Sequence, residues 1–202
     1  MIKDNQEGVW DSIAKSWDQF RYESQKEVRD FLIDKKGRII DLACGSGRNF
    51  VPLEGTVYYG VDFSSKMLEH AEVRAEKLGV GCILMKSEAS NLPFENDFFD
   101  CGLYIAGLHC VDNERKREES IKELFRVMKK GGEVLISVWS KNHPRVKNKG
   151  KEAYIPWTIE KNKVMRYYYI YDKDEIEKII KKAGFKIKKY WEDENIWITA
   201  KK

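Results

Sequence analysis

The sequence predicts an α/β fold with a mainly parallel, seven-stranded sheet that ends in an antiparallel hairpin. Short apolar runs alternate with helical patterns along the first two thirds of the chain, which is typical of successive strand–helix–strand units. The chain has 202 residues, of which 42% are hydrophobic and 35% are charged. This size and composition predict a single domain over residues 1–202 with a substantial core. No apolar run reaches the roughly 18 residues of a membrane-spanning helix, so none is expected.

Two helices and two strands are predicted in the first third of the chain. Amphipathic patterns favour helices over residues 9–20 and 24–34, and we expect residues 1–34 to form a lid. Residues 38–43 are an apolar run that ends in a glycine-bearing turn, so a buried strand is expected there. Residues 57–62 form a second apolar run of the same kind.

The same alternation continues through the middle of the chain. Ser64 and Ser65 are typical helix-capping residues, and apolar residues follow them at helical spacing. The next helix is expected over residues 113–129, and Gly131 and Gly132 directly after it are expected to end it. The strands predicted in this region are residues 82–85, 101–106 and 133–139.

The regular alternation stops at the end of the fifth strand. Residues 140–165 contain two prolines, many lysines and no clear period. A helix is expected over residues 172–183. The strands at 185–191 and 195–200 are separated by a polar turn that favours an antiparallel hairpin. We interpret residues 140–170 as a substrate-side insertion, because long loops in compact domains are usually functional.

A glycine-bearing loop follows the first predicted strand. It runs from Asp41 to Arg48 and contains Gly45-Ser46-Gly47. Glycine lets the backbone approach a ligand closely and adopt positive φ. A second acid, Asp62, lies 21 residues after Asp41 at the end of the next strand, where doubly wound folds hold the ribose hydroxyls of a nucleoside. A structural turn alone also explains a Gly-x-Gly, but the position of Asp62 favours a nucleoside site.

Other ligand motifs are disfavoured. A dinucleotide fingerprint requires a third glycine three residues after Gly47, and that position is Phe50. No G-x-x-x-x-G-K-[ST] string is present, so a P-loop is excluded. The four cysteines are scattered without a C-x-x-C pair. Neither a metal site nor a disulfide framework is therefore expected, and a reducing, cytoplasmic setting fits.

The loop resembles the cofactor loop of class I S-adenosylmethionine-dependent methyltransferases. Their usual pattern is acid-x-Gly-x-Gly-x-Gly, and Ala43 stands in place of its first glycine. Glu88-Ala89 followed by Asn91-Leu92-Pro93-Phe94 resembles the family's Asp-Ala…Leu-Pro-Phe segment. Phe99-Asp100 and the stretch from Arg126 to Gly132 match as well. This resemblance implies a Rossmann-like class I methyltransferase fold with S-adenosylmethionine as the cofactor.

The resemblance also implies roles for individual residues. Asp41 and the loop backbone hold the methionine moiety, Asp62 holds the ribose, and Glu88 accepts a hydrogen bond from the adenine amino group. The expected cofactor-binding residues are Trp17, Arg21, Asp41, Ala43, Cys44, Gly45, Gly47, Asp62, Phe63, Met67, Glu88, Ala89 and Ile105.

Features outside this core resemble one methyltransferase family more narrowly. That family methylates the carboxymethyl group on the wobble uridine of tRNA. The matching segments are Ile13-Ala14…Trp17-Asp18…Arg21-Tyr22, Ile105-Ala106…Leu108-His109, Ile155-Pro156-Trp157, Arg166-Tyr167-Tyr168…Tyr171 and Asp193…Asn195…Trp197. Cys110 replaces the second histidine of the family's His-His pair. The resemblance implies transfer of a methyl group to a carboxylate, with tRNA bound at its anticodon region.

The expected catalytic residues are Arg166, Tyr167 and His109. Arg166 suits the task of holding the acceptor carboxylate, because its planar fork also stacks on aromatic rings. The alternatives are a surface ion pair for Arg166, an aromatic strand for the tyrosines, and a hydrogen-bonded pocket role for His109. Arg21 is an alternative clamp for the cofactor's carboxylate. The rings expected to stack on a splayed anticodon base are Tyr167, Tyr168, Trp157 and Trp139.

Basic character is concentrated in the last third of the chain. Residues 1–140 hold 20 Lys and Arg against 24 Asp and Glu, whereas residues 141–202 hold 17 against 9. This gradient indicates either an anionic partner or a solvated lysine-rich surface. The residues expected to face phosphates are Lys141, Arg145, Lys147, Lys149 and Lys151.

Three functions remain open at this point. The leading one is methylation of a carboxymethyl-type wobble uridine in tRNA, and the resembled family often needs a small zinc-binding activator protein. The second is methylation of a small molecule such as a quinone, polyol or carboxylic acid. The third is a cofactor-binding regulatory subunit without catalysis, which the intact glycine loop and Asp62 disfavour.

Overall fold

The helices and strands of the chain follow the predicted alternation in a computed structural model, which describes residues 5–20 and 23–202. The helices are α1 (Gln6–Phe20), α2 (Lys26–Leu32), α3 (Ser65–Leu78), α4 (Glu114–Val127) and α5 (Lys173–Ala183), with a short 3₁₀ helix at Leu108–Cys110. The strands are β1 (Gly37–Leu42), β2 (Thr56–Asp62), β3 (Cys82–Lys86), β4 (Phe99–Ile105), β5 (Met128–Trp139), β6 (Glu152–Ile159), β7 (Asn162–Tyr169), β8 (Lys186–Glu192) and β9 (Asn195–Lys201).

Seven of the strands form one sheet in the order β3-β2-β1-β4-β5-β9-β8. Strands β1 to β5 are parallel, β9 is antiparallel to β5, and β8 is antiparallel to β9. The predicted α/β class, with a mainly parallel sheet of seven strands and a C-terminal hairpin, is confirmed. The carboxyl ends of the parallel strands meet at one edge, so this topology brings the glycine loop and Asp62 together.

Apolar layers cover both faces of the sheet. On one face Ile121 and Leu124 of α4 and Ile176 of α5 pack against β4 and β5. On the other face Val28 of α2 and Ala71 of α3 pack against β1 and β2. Strands buried on both faces explain why the parallel segments are continuous apolar runs rather than alternating ones.

The structure differs from the sequence-based expectation in two elements. Helix α4 is expected to reach residue 129, but it ends at Val127 because Met128 already belongs to β5 and pairs with Phe99 of β4. The register of these two strands shifts between Phe99 and Cys101. The insertion at residues 140–170 is expected to be a long loop, because residues 140–165 have no clear period, but β6 and β7 within it pair as a separate antiparallel hairpin.

Helix α1 is fastened to this hairpin. The Gln6 side chain accepts a hydrogen bond from the backbone N–H of Tyr167 (2.9 Å) and donates one to the carbonyl of Met165 (3.3 Å). The Trp157 indole N–H donates to the hydroxyl of Ser16 (2.9 Å). The N-terminal helix and the insertion therefore form one cover beside the carboxyl edge of the sheet.

None of the helices in the described ranges combines the length and the apolar character needed to cross a membrane. The four cysteines are free thiols.

Candidate active site

A cavity of about 390 Å³ opens at the carboxyl ends of β1, β2 and β4. This volume lies in the range of small-molecule sites. Ten of the predicted cofactor-binding residues line it: Trp17, Ala43, Cys44, Gly45, Asp62, Phe63, Met67, Glu88, Ala89 and Ile105. Asp41 and Gly47 are not among its lining residues, and Arg21 lies outside the described residues together with Tyr22.

The glycine loop adopts the left-handed backbone that its sequence predicts. Gly45 and Gly47 have φ of 54° and 74°. A Cβ at Gly47 would come within 2.6 Å of the Phe50 ring and 3.2 Å of the Ala71 Cα, so this glycine lets the loop pack closely on α3. Ala43 also has a positive φ, 57°, at the position where the resembled loops carry glycine. The alanine therefore keeps the loop conformation at a local backbone cost.

Asp62 fixes the loop from the end of β2. One carboxylate oxygen accepts from the backbone N–H of Gly45 and the other from that of Ser64, both at 2.9 Å. Burial raises the pKa of Asp62 to about 6, and the backbone N–H groups oppose this rise. Each carboxylate oxygen has a second lone pair, so Asp62 can still accept from ribose hydroxyls.

Asp41 lies one layer behind the cavity. It is fully buried, and its carboxylate accepts a hydrogen bond from the Asn49 amide at 3.3 Å. Burial raises the pKa of Asp41 to about 7. Asn49 lines the cavity and Asp41 does not, so the hydrogen bond with Asn49 is the link between the Asp41 carboxylate and the cavity wall.

The loop offers unpaired polar atoms that fit an amino-acid moiety. The Ser46 hydroxyl and the Asn49 carbonyl oxygen are buried without a hydrogen-bond partner among the described residues. Buried polar atoms of this kind are rare in native structures and usually await a ligand or water. A hydroxyl and an amide oxygen suit the carboxylate and ammonium groups of a methionine moiety, so the residues present fit S-adenosylmethionine.

Glu88 lies at the rim of the cavity. It is exposed, and its carboxylate pairs with the Lys116 ammonium of α4 at 3.0 Å. Both residues line the cavity. An adenine amino group that bonds to Glu88 therefore shares this carboxylate with Lys116.

A buried arginine adjoins the cavity on its hairpin side. The Arg166 side chain has no exposed surface, and its Nη1 donates to the Tyr168 hydroxyl at 2.7 Å. Its Nε and Nη2 have no hydrogen-bond partner among the described residues. Its guanidinium carbon lies 4.8 Å from the ring centre of Trp157, 5.3 Å from those of Trp17 and Tyr168, and 5.8 Å from that of Trp10. We call Arg166 and these four rings the arginine cage.

The arginine cage shares a wall with the cavity, because Trp10 and Trp17 belong to both. Burial lowers the pKa of the Arg166 guanidinium from its usual value, although it stays a cation. The structure thus contains a buried cation with two free donors beside the cavity. Arg166 is buried and forms no ion pair among the described residues, so the alternative of a surface ion pair does not apply.

Tyr167 lies away from the arginine cage. Successive side chains of a strand point to opposite faces, so Arg166 and Tyr168 share one face of β7 and Tyr167 faces the other. The Tyr167 hydroxyl donates to Glu152 (2.9 Å) and accepts from Arg117 (3.3 Å). The residue next to Arg166 in space is therefore Tyr168, not Tyr167.

His109 is a neutral, hydrogen-bonded residue beside the cage. Its Nδ1 accepts from the backbone N–H of Trp139 at 3.0 Å. Burial is the main cause that lowers the pKa of His109 to about 3, and the charges of His143 and Arg166 add to it. Of the two readings of this histidine, the geometry matches the hydrogen-bonded pocket residue.

The proposed stacking wall for an anticodon base is largely occupied by its own members. Trp139 stacks on Tyr168 with ring centres 4.2 Å apart and on His143 at 3.9 Å. Trp139 is 5% exposed, so little of its indole remains open to another ring. Trp157 is only partly buried and contacts Phe20, whose side chain is 57% exposed.

The basic insertion divides into paired and unpaired cations. Lys151 is expected from the sequence to face phosphates. In the structure it forms ion pairs with Asp172 (2.8 Å) and Glu175 (2.5 Å), so its ammonium group is not free to bind a phosphate. The others are exposed and form no ion pair within the described ranges: Lys141, Arg145, Lys147 and Lys149.

Several residues of the site were not predicted from the sequence. The main ones are Trp10, Ser46, Asn49, Gly107, Cys110 and Lys116, all of which line the cavity. Trp10 precedes Trp17 by two helical turns, so its place on the same face of α1 was readable from the spacing. Ser46 lies inside the quoted loop motif.

Comparisons with known proteins show similarity to methyltransferases. Residues 40–136 match the family model of a methyltransferase domain. The tRNA (carboxymethyluridine(34)-5-O)-methyltransferase of Schizosaccharomyces pombe is 27% identical over 96% of this chain and 94% of its own. The Arabidopsis thaliana protein of the same name is 31% identical over 65% of this chain, which spans only 32% of that relative.

Solved structures share the whole fold. An S-adenosylmethionine-dependent methyltransferase from Clostridium acetobutylicum matches with a TM-score of 0.74 and 18% identity, over 96% of this chain and 98% of its own. A methyltransferase solved with the Trm112 methyltransferase activator of Haloferax volcanii matches with a TM-score of 0.70 and 14% identity. The match covers 100% of this chain and 99% of its own. Residues 40–136 thus match a methyltransferase domain, and nearly the whole chain shares the fold of a solved S-adenosylmethionine-dependent methyltransferase.

Proposed function

We propose that this protein transfers a methyl group from S-adenosylmethionine to the carboxylate of a carboxymethyl-modified wobble uridine in tRNA. The observation that carries the proposal is Arg166, a fully buried cation with two unpaired donors next to the cofactor cavity. An arginine fork in such a place suits a carboxylate acceptor better than an amine, a phenol or a carbon acid. The names of the two tRNA methyltransferases that this chain resembles support the same substrate.

The residues of the site suit this chemistry without a general base. The bound cofactor supplies an electrophilic methyl group on its sulfonium. An acceptor carboxylate has a pKa near ~4 and is already ionised at neutral pH. Arg166 orients it, and holding two reactants in line supplies much of the acceleration. His109, with a pKa lowered to about 3, stays neutral and supports the backbone of Trp139.

Access to Arg166 requires a movement of its cover. The guanidinium has no exposed surface, because Trp17 of α1 and Trp157 of β6 lie over it. We therefore propose that residues 1–34 act as the lid and residues 140–170 as the substrate-side insertion of a single domain. The hydrogen bond from Trp157 to Ser16 latches the two in the closed arrangement.

The unpaired cations of the insertion are the proposed contacts to tRNA phosphates. Lys141, Arg145, Lys147 and Lys149 are exposed and follow directly after β5, whose carboxyl end carries Trp139 of the site. Their charge suits a polyanion, and their place suits a nucleotide that enters the arginine cage.

A small zinc-binding activator is the proposed protein partner. The match to the methyltransferase solved with Trm112 is one reason. The other is the open edge of β3, where Ile83 is 46% exposed and the neighbouring Val57 of β2 is 40% exposed. An apolar, unpaired sheet edge is a surface to which a partner can add a strand.

The test of the proposed function is nucleoside mass spectrometry of tRNA from a strain that lacks the protein. The carboxymethyl ester of the wobble uridine should disappear and the free acid should accumulate. Wild-type protein supplied to the strain should restore the ester, and the Arg166→Ala variant should not. Unchanged tRNA in the deletion strain would exclude this substrate and favour a small-molecule carboxylic acid.

A further inference from the structure

Trp10 carries a buried donor that the proposed mechanism does not yet use. It lies on α1, is 8% exposed, and lines the cofactor cavity. Its indole Nε1 is buried and has no hydrogen-bond partner within the described part of the chain. The ring centre lies 5.8 Å from the Arg166 guanidinium carbon.

The unpaired donors of this region form one group. Three buried N–H atoms without partners, Trp10 Nε1 and Arg166 Nε and Nη2, belong to side chains that contact each other at the cavity wall. A buried donor left unpaired costs free energy, and an apolar ring of the same shape would avoid that cost. Since Trp10 lines the cavity, its N–H group is a donor that a ligand there can reach.

Resting on the proposed function, we infer that Trp10 is a second binding residue for the acceptor carboxylate, with its indole N–H donating to the group that Arg166 also holds. A carboxylate has two oxygens and about four acceptor positions, so it accepts from the guanidinium and from an indole at the same time. The indole is neutral, so it orients the group without lowering the nucleophilicity of the oxygen as a second cation would. Trp10 lines the cavity from which the methyl group arrives, whereas Arg166 does not line it.

The subsite defined in this way selects a carboxylate over its neutral derivatives. A carboxamide offers one acceptor oxygen, and its NH₂ group faces donors. A methyl ester has no charge to pair with the cation. The free acid should therefore bind best, and the ester product should leave readily.

The experiment compares two anticodon stem-loop RNAs, one with a carboxymethyl and one with a carbamoylmethyl group on the wobble uridine. Their dissociation constants are measured by fluorescence anisotropy with S-adenosylhomocysteine present. Wild type should prefer the carboxymethyl RNA. Trp10→Phe keeps an aromatic ring and removes the N–H. The dissociation constant for the carbamoylmethyl RNA divided by that for the carboxymethyl RNA should therefore fall about tenfold.

Trp197→Phe is the matched control. Trp197 lies on β9, is 1% exposed, and also has an indole N–H without a partner among the described residues. It stacks on Trp191, away from the cavity. Its replacement removes the same atom from an equally buried tryptophan, and the ratio of the two constants should stay that of wild type.

The possible outcomes separate the inference from the proposed function. A misfolded fraction lowers both affinities of a variant alike and leaves the ratio unchanged, so a reduced ratio reports the site itself. If Trp10→Phe keeps the wild-type ratio, Trp10 does not bind the carboxylate although the proposed function stands. If wild type has no preference between the two RNAs, the proposed function and the inference both fail.

Discussion

Arg166 is the residue whose environment most needs a functional explanation. A guanidinium without a carboxylate partner pays a desolvation cost that contacts with aromatic rings offset only in part. Four rings and one tyrosine hydroxyl surround it, and two of its N–H donors have no partner within residues 5–20 and 23–202. The cage therefore holds the cation ready for an anion at a cost to stability.

Replacement of Arg166 tests its role in the acceptor site. Arg166→Lys keeps the charge and loses the planar fork, so turnover should fall about tenfold or more. Arg166→Ala should lower it further, while the affinity for S-adenosylmethionine, measured by calorimetry, stays unchanged. With S-adenosylmethionine saturating, so that ionisation of Asp62 does not limit cofactor binding, the wild-type rate should be flat between about pH 6 and 8, because the acceptor carboxylate is already ionised. A steep rise of the rate with pH would point to an acceptor that must lose a proton and would remove this role from Arg166.

Asp62 should control cofactor affinity. Asp62→Asn leaves one acceptor oxygen where two now receive the N–H groups of Gly45 and Ser64, so the loop loses one of these bonds and the ribose loses a charged acceptor. Calorimetry should show at least about a tenfold weaker binding of S-adenosylmethionine.

A distant aspartate provides the control for this experiment. Asp100 accepts from the backbone N–H of Arg38 and pairs with Lys129 at the other end of the strands. Asp100→Asn should leave cofactor affinity at the wild-type value. Equal affinities of wild type and Asp62→Asn would remove Asp62 from the ribose site.

Asp41 should make stability depend on pH. Burial raises its pKa to about 7, whereas an unfolded chain releases this proton near pH ~4. Between these values the folded state binds more protons, so the contribution of Asp41 to stability falls as the pH rises from about 4 to 7. Asp41→Asn has no charge to bury, and its free energy of unfolding at about pH 8 should exceed that of wild type by about 1–3 kcal/mol.

Urea unfolding at about pH 8 and at about pH 4.5 measures this difference. The advantage of Asp41→Asn should shrink towards the lower pH, where the buried carboxyl of wild type is protonated. A pH-independent difference would assign the effect to packing with Asn49 rather than to the charge of Asp41.

At the scale of elements, the sequence predicted those with a simple period and missed the hairpin. The parallel strands are apolar runs between turn signals, and the helices have one apolar face. Strand β7 lacks both signals, because Arg166, Tyr167 and Tyr168 are consecutive and all buried, on opposite faces. Polar and apolar residues then no longer alternate, so the pattern could not show that Tyr168 rather than Tyr167 adjoins Arg166.

The sequence also could not show which charged side chains are paired or buried in the folded chain. Lys151 looks like its neighbours Lys147 and Lys149 in the sequence, and only the position of α5 shows that it is paired. The motif around Asp41 predicted a ligand contact, but the burial of this carboxylate behind Asn49 depends on tertiary packing.

The basic insertion should contribute to tRNA binding through its unpaired cations. Replacement of Lys141, Lys147 and Lys149 together by Gln should weaken binding and reduce the slope of log affinity against log salt by about two to three. Cofactor affinity should not change. Lys151→Gln is the control within the same segment, since its ammonium is paired with Asp172 and Glu175, and it should leave the slope nearly unaltered. An unchanged slope in the triple variant would make these lysines ordinary surface charge.

At the scale of the whole molecule, the two edges of the sheet differ in character. Edge strand β8 carries Lys186, Lys188 and Lys189 on exposed positions, which discourages pairing with another chain. Edge strand β3 instead exposes Ile83, and residues 87–98 behind it contain no helix to cover that face of the sheet. The molecule is thus closed to strand addition on one side and open to it on the other.

A substitution at the open edge tests whether a partner binds there. Ile83→Lys places a charge in the middle of β3, so a protein that adds a strand and buries this face should lose most of its affinity. Ile33→Lys is the control, because Ile33 lies after α2, is 72% exposed, and belongs to no sheet edge. In co-expression with a Trm112-type activator, wild type and Ile33→Lys should retain the activator on a tagged column, and Ile83→Lys should not. Retention by all three proteins would place the activator on another surface, and retention by none would exclude it as a partner. Methylation of tRNA by isolated wild type, measured alongside, tells whether the catalytic site needs such a partner at all.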